Sequence, residues 1–290
     1  MGKTFKEALA SGKFVITANI SSPKGVNVDS LINQVKFLKD LTDGLVVPDN
    51  LLATMTMSAC AASRLVIENG VDPIMSLNCR DRNRIALASD LLGASLMDIK
   101  NILCVSGDHT KFGDHIDAKP VYDIDSVQLL GMARGLEKGR DISHNELNGY
   151  PQFCLGAVAN PEADPLGPQL NKFDKKVQAG AEFFLTLPVF NIDNLKRFME
   201  HARKSEVKIL ASIRVLVPEE VHKYADGSYP GLFVPEDVLE EIKDASIDKG
   251  IEVAGRLIRD IKDRNICDGI NLMASGYEER IPDILKAGGI

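Results

Sequence analysis

Apolar residues in this chain come in short continuous runs that stop at a polar side chain. Each run is followed by a stretch whose apolar positions recur every three or four residues. The first unit shows the pattern: Phe14 to Ala18 is rich in β-formers, Asn19 ends it, Ser21 to Gly25 makes an exit loop, and Val28 to Asp40 is amphipathic. That is strand, loop, helix. The same reading predicts strands over 44–48, 73–78, 101–106, 153–159, 183–189, 208–216 and 269–273. It predicts helices over 52–69, from Asp81 as N-cap to Leu96, and over 125–137, 168–179, 193–204, 235–245, 247–264 and 277–286. Long loops are expected at 109–122 and 217–233.

Strands that read as continuous apolar runs are buried on both faces, as in a parallel sheet. Eight of them alternating with helices predict an α/β fold, a single (β/α)8 TIM barrel over residues 1–290. The doubly wound open sheet is the alternative, but no G-x-G-x-x-G follows the first strand.

Composition narrows the partners. Net charge is −7, against the basic face that nucleic acid requires. No apolar run approaches the roughly 20 residues of a membrane span, and Met1 to Gly12 is too polar for a signal peptide, so a cytoplasmic protein is expected. Five scattered cysteines show no C-x-x-C or zinc spacing and fit a reducing compartment. Cys104 and Cys154 are expected in the core, and Cys79 is the one better placed to face a site.

In a barrel, chemistry gathers at the C-terminal strand ends. Those positions hold Asn19, Asp49, Asn50, Asn78, Asp108, His109, Asn160, Thr186 and Arg214. The set is rich in amides and holds no Ser-His-Asp order, no metal-binding His/Glu cluster and no strand-end lysine. Amides and one carboxylate suit a flat heterocycle with donor and acceptor edges better than proton-transfer chemistry. Asp108, on a glycine turn, can accept two hydrogen bonds from an amino-pyrimidinone edge, or can serve as a turn or cap residue. His109 and His115 share a loop with Lys111, Arg80, Arg82 and Arg84 are expected to begin a helix and pair with Asp81 and Asp90, and the 218–233 loop offers a lid, a docking surface or a plain excursion.

Several segments together resemble the methylenetetrahydrofolate reductase family, in its catalytic-barrel form: Ile16-Thr-Ala-Asn-Ile20 with Pro23-Lys-Gly25, Asn78 to Arg84, Ser106-Gly-Asp-His109, Asp117 to Ser126, Gly156 to Pro161, Lys175 to Ala181 and Phe183 to Val189. The resemblance implies an eight-stranded barrel that binds a flavin (FAD or FMN) and a reduced folate at the strand C-termini and works at N5 of the pterin. It implies that Asp108 lies near pterin and flavin, and that Ser106, Gly107 and Lys176 lie on the cofactor side.

The departures carry the functional expectation. Asn19 stands where the family places a glutamate that protonates the folate, and Leu185 and Leu187 replace glutamines of strand six. Ser76 and Asn78 also differ from the usual polar pattern of strand three. An amide cannot deliver a proton, and losing a general acid typically costs about 10²–10⁴-fold. Methyl transfer at N5 needs positioning more than an acid there. The leading expectation is therefore methyl transfer between a methyl-corrinoid protein, whose cobalamin the partner supplies, and tetrahydrofolate. Asn19 and Asp108 are the catalytic candidates, and Asp49, Asn78, His109, Asn160, Thr186, Leu187 and Arg214 join Asp108 as substrate-binding candidates. A flavin-dependent 5,10-methylenetetrahydrofolate reductase, drawing its proton from His109 or water, is the alternative. A non-catalytic folate- or flavin-binding subunit is the third, and a homo-oligomer stays open.

Overall fold

The computed structural model describes residues 4–226, 228–274 and 276–290. The strands are β1 (Val15–Asn19), β2 (Gly44–Val47), β3 (Pro73–Asn78), β4 (Asn101–Val105), β5 (Cys154–Ala159), β6 (Phe183–Thr186), β7 (Lys208–Arg214) and β8 (Gly269–Met273). They pair in sequence order, all parallel, and β8 closes on β1. The eight-stranded barrel expected from the pattern is the fold.

The outer surface of the sheet is packed by helices through a continuous apolar shell that includes Leu31, Leu91, Leu129 and Phe198. The lower interior is apolar too, filled by Val15, Val46, Ile74, Leu103, Cys154, Phe183, Leu185 and Leu210. Gly156 makes room for this filling, because a Cβ there would lie 2.1 Å from the Phe183 ring.

The floor of the barrel is sealed by a helix the pattern did not predict, Phe5–Ala10. It is short, but Thr4-Phe-Lys-Glu7 is a capping box: Thr4 N donates to the Glu7 carboxylate at 2.8 Å and Glu7 N to Thr4 Oγ1 at 3.3 Å. Phe5 is fully buried, its ring edge-on to Phe183 at a centroid distance of 5.1 Å. Its backbone N–H donates to the Asp72 carboxylate at 2.7 Å.

Three expected elements differ. The helix expected over 52–69 is only Ala59–Glu68, preceded by a 3-10 turn, Leu51–Ala53. Asn50, Leu52 and Ala53 there have φ of 49°, 52° and 57°, which no α-helix accommodates. Tertiary bonds hold that loop open: Thr56 N to Asn50 Oδ1 at 3.0 Å, Met57 N to Pro23 O at 2.8 Å, and Met55 N to the Asp114 carboxylate at 3.1 Å. Asp81 does not cap the next helix. Asn83 does, accepting from Ala86 N at 3.1 Å, because the Asp81 carboxylate is bound to Arg80. The 217–233 loop contains a short helix, Val221–Ala225, and its Gly227 lies outside the described residues.

Cys104 and Cys154 are buried, as expected of core thiols; Cys79 is buried as well, within the apolar shell, and burial pushes its thiol up to about 12. Among the described residues no helix is long and apolar enough to cross a membrane.

Truncating the floor removes a buried aromatic contact and leaves a cavity, so Phe5→Ala is expected to cost about 3–5 kcal/mol. Urea unfolding of the variant beside the parent checks it.

Candidate active site at the barrel mouth

Above the apolar filling, the interior turns polar. The strand ends enclose a cavity of about 410 Å³ that touches Asn19, Asp49, Ser76, Asn78, Asp108, Asn160, Thr186, Leu187, Ser212 and Asn271. Its lining is mixed, with Val46, Pro48, Val105, Val158 and Met273 beside the polar groups, as a planar ring with polar edges requires.

The floor of this cavity is a hydrogen-bonded layer from three adjacent strands. Register places Thr17 on β1 and Ser212 on β7 alongside Asn271 on β8. The Thr17 hydroxyl lies 3.0 Å from Asn271 Oδ1, and Asn271 Nδ2 donates to Ser212 Oγ at 3.3 Å and to Asn19 Oδ1 at 3.1 Å. With Oδ1 occupied, Asn19 presents Nδ2 to the mouth, where it has no hydrogen-bond partner among the described residues. Thr186 accepts the backbone N–H of Ser212 at 2.9 Å and so ties β6 to the same layer.

One wall is a charged lattice. Arg82 donates to both Asp49 oxygens, at 2.7 and 3.2 Å, and Asn78 binds the same carboxylate through its backbone N–H at 3.0 Å and Nδ2 at 2.6 Å. Asn78 Oδ1 in turn accepts Asp81 N at 3.0 Å. The pairing of Arg82 with Asp90 is present at 2.7 Å, while Arg84 pairs with Asp123 instead. Arg80, almost fully buried, grips Asp81 with two nitrogens at 2.7 and 2.8 Å and reaches the carbonyls of Asn50 and Asp108 at 3.0 and 3.1 Å. Burial works against the Asp81 charge, but hydrogen bonds from Arg80, Asn50 and Asn78 outweigh it and hold the carboxyl down at about 2. Asp49 and Asn78 thus spend their polar atoms on the wall itself.

Asp108 is different. Gly107, at φ 85°, turns the chain so that Asp108 faces the cavity, and a Cβ on Gly107 would meet the Arg80 Cβ at 3.0 Å. Burial raises the Asp108 pKa above its usual value, with Arg80 and backbone N–H groups opposing. Of the two carboxylates lining the cavity, Asp49 is tied to Arg82, whereas Asp108 meets backbone N–H groups and no side-chain hydrogen-bond partner among the described residues.

The adjoining wall comes from β4, β5 and the helix Gly167–Gln178. Ser106 donates to Ser126 Oγ at 3.3 Å, and Asn160 Oδ1 accepts from Glu162 N at 3.0 Å. Lys176 is buried with Nζ on the Val158 carbonyl at 2.6 Å, and Lys172 and Gln169 of the same helix also line the cavity. Burial first, then repulsion from Lys172, lowers the Lys176 pKa to about 8. A buried cation bound to one carbonyl is suited to hold an anion.

Two expected residues lie elsewhere. His109 is exposed on the rim, its Nδ1 accepting from Lys111 N at 3.1 Å, and is not among the cavity-lining side chains. Arg214 leans away under the loop that follows β7, its guanidinium 4.4 Å from the Tyr229 ring centre and 5.7 Å from that of Tyr224, with Glu220 at 3.6 Å. Leu187 lines the mouth and meets that loop at Gly231. Sequence reading missed Asn271, Ser212, Lys172 and the wall role of Arg80 and Arg82. The signal for Asn271 was there: a lone amide inside the apolar run Gly269-Ile-Asn-Leu-Met273 must find partners within the barrel.

The family model for methylenetetrahydrofolate reductase matches residues 4–289. A probable methylenetetrahydrofolate reductase (NADPH) from Caenorhabditis elegans is 23% identical over 246 residues, and methylenetetrahydrofolate reductase 2 from Schizosaccharomyces pombe is 24% identical over 262. The aligned regions take in 81% and 82% of this chain but only 35% and 39% of those relatives. Among solved structures, 2,3-dimethylmalate lyase (TM-score 0.53, 10% identity, 100% of this chain and 87% of that one) and oxaloacetate acetylhydrolase in complex with 3,3-difluorooxalacetate (TM-score 0.54, 9% identity, 98% and 83%) share the barrel fold. Matched across nearly its whole length, the chain belongs to the methylenetetrahydrofolate reductase family.

Proposed function

We propose that this barrel is a tetrahydrofolate-dependent one-carbon enzyme acting at N5 of the pterin, and that its reaction is methyl transfer between a methyl-corrinoid protein and tetrahydrofolate. The observation that carries this reading is the amide at position 19, with Nδ2 aimed into the mouth at the place where the family's reductive chemistry uses a glutamate. The relatives named above are reductases, so the methyl-transfer reading rests on this chain's own residue at position 19.

In this reading Asp108 accepts from the amino-pyrimidinone edge, and Asn19 meets N5. The methyl–N5 bond forms as the methyl–cobalt bond breaks, the bonding pair stays with the corrinoid, and the N5 proton leaves to water. Asn19 Nδ2 donates to the lone pair that N5 retains once alkylated; in the reverse direction N5 takes a proton back from water as the methyl leaves, and Asn19 itself exchanges none. The remainder of catalysis is alignment of two bound partners, a contribution that reaches many orders of magnitude. The corrinoid protein would approach over the loops following β4 and β7.

A second reading, flavin-dependent reduction of 5,10-methylenetetrahydrofolate, is favoured by a separate observation. Lys176 and Lys172, with Gln169, form a cationic wall that fits an anionic phosphate. A flavin there would supply hydride, and Asp108, its carboxyl raised by burial, would be the one acid at hand.

Purified protein given methylcobalamin and tetrahydrofolate is expected to form 5-methyltetrahydrofolate without added flavin, and Asn19→Glu to lose at least about 10²-fold of that rate. Formation only from 5,10-methylenetetrahydrofolate, with flavin and a reductant, and stimulated by Asn19→Glu, would establish the reductase instead. The buried cation gives a second expectation. Its folded pKa of about 8 lies below the ordinary 10.5, so its charge burdens the folded state below about pH 8 and ceases to do so above 10.5. Lys176→Met is expected to stabilise the protein by about 1–3 kcal/mol at neutral pH, with the gain shrinking as pH rises past 8. Thermal melts across that range check the sign.

A further inference from the structure

A primary amide offers a donor on one side and an acceptor on the other, so its orientation decides what it recognises. At position 19 that orientation is set from β8. Asn271 is buried, and the shorter contact of the Thr17 hydroxyl, at 3.0 Å against 3.3 Å to the Ile270 carbonyl, is with Asn271 Oδ1. A hydroxyl donating there leaves Asn271 Nδ2 on the far side, between Ser212 Oγ and Asn19 Oδ1. Asn19 then has no choice but to turn Nδ2 outward. Three residues fix the polarity of one atom in the mouth.

We propose that Asn271, held by Thr17, is the specificity-determining residue that makes position 19 a donor, so that the mouth admits a folate alkylated at N5. The inference rests on the folate reading above. N5 of an alkylated tetrahydropterin has a lone pair and no hydrogen, so it can only accept. N5 of tetrahydrofolate carries both. A donor at position 19 serves either ligand, whereas an acceptor there serves only the N5–H form and faces the alkylated one lone pair to lone pair. Asn271 touches neither ligand in this scheme and acts through Asn19 as a positioning residue.

The Asn271→Asp variant reverses the arrangement. Both carboxylate oxygens accept, one from Thr17 and one from Asn19 Nδ2, which turns Asn19 Oδ1 to the mouth. Anaerobic calorimetry with tetrahydrofolate and 5-methyltetrahydrofolate is expected to show the methylated folate losing about 10- to 100-fold in affinity while tetrahydrofolate changes by less than about threefold. Thr17→Val, a near-isosteric change, is expected to move the ratio the same way by a smaller factor. Parallel loss of both ligands, or an unchanged ratio, in the variant that folds would overturn the proposal.

Side-chain amide NMR of the ligand-free parent gives a reading independent of folate. The Asn271 amide protons are expected to exchange slowly and those of Asn19 quickly, and the opposite pattern would overturn the proposal. A parent protein that binds neither folate but shows the expected exchange pattern would sink the folate reading and leave the orientation standing.

Discussion

Burial of polar side chains inside a closed barrel is the constraint on which this structure depends. The lower interior is filled by hydrocarbon down to the Phe5 seal, so water has no route to the upper layer from below. Thr17, Ser212 and Asn271 are buried just above it, and buried polar groups left unpaired cost about 1–3 kcal/mol each. They pair with one another, and Asn19 is drawn into the same layer. The chemistry of the mouth therefore follows from a packing requirement: the amide that faces a ligand is oriented by amide and hydroxyl groups that do not.

The walls obey the same rule with charges. Arg80 grips Asp81 and uses its remaining donors on the carbonyls of Asn50 and Asp108, while Arg82 bridges Asp49 and Asp90, which ties the loops after β2, β3 and β4 into one side. Asp114 extends the stitching outward, binding Lys24, Met55 and His115 from three loops. Next to that side, Lys176 binds a carbonyl and no carboxylate among the described residues. A site with one satisfied wall, two lysines and one raised carboxyl is polarised for a ligand that is both heterocyclic and anionic. Reduced folates and flavins both have that character.

How much of this the sequence revealed depended on distance along the chain. β3 and β8 lie where the apolar runs put them, because proline or glycine opens each and a polar or long side chain closes it. The barrel and the strand-end placement of Asn19 and Asp108 followed from the same local pattern. What the pattern could not reveal were partners chosen in three dimensions. Asp81 and Asn83 are both reasonable caps, and only the presence of Arg80 removes the first. Asp49 looked like a ligand-binding carboxylate until Arg82, across the gap between two strand ends, was found to occupy it. Arg214 was drawn aside by tyrosines that follow it in a loop with no periodicity to read.

The central claim is that an amide donor, and no acid, meets the one-carbon position of a pterin in this mouth. A crystal structure of the flavin-free protein with 5-methyltetrahydrofolate tests it most directly. The account predicts N5 within hydrogen-bonding distance of Asn19 Nδ2, with the amino-pyrimidinone edge on Asp108. A pterin bound the other way round, with the Asp108 carboxyl at N5 and Asn19 unengaged, would contradict it.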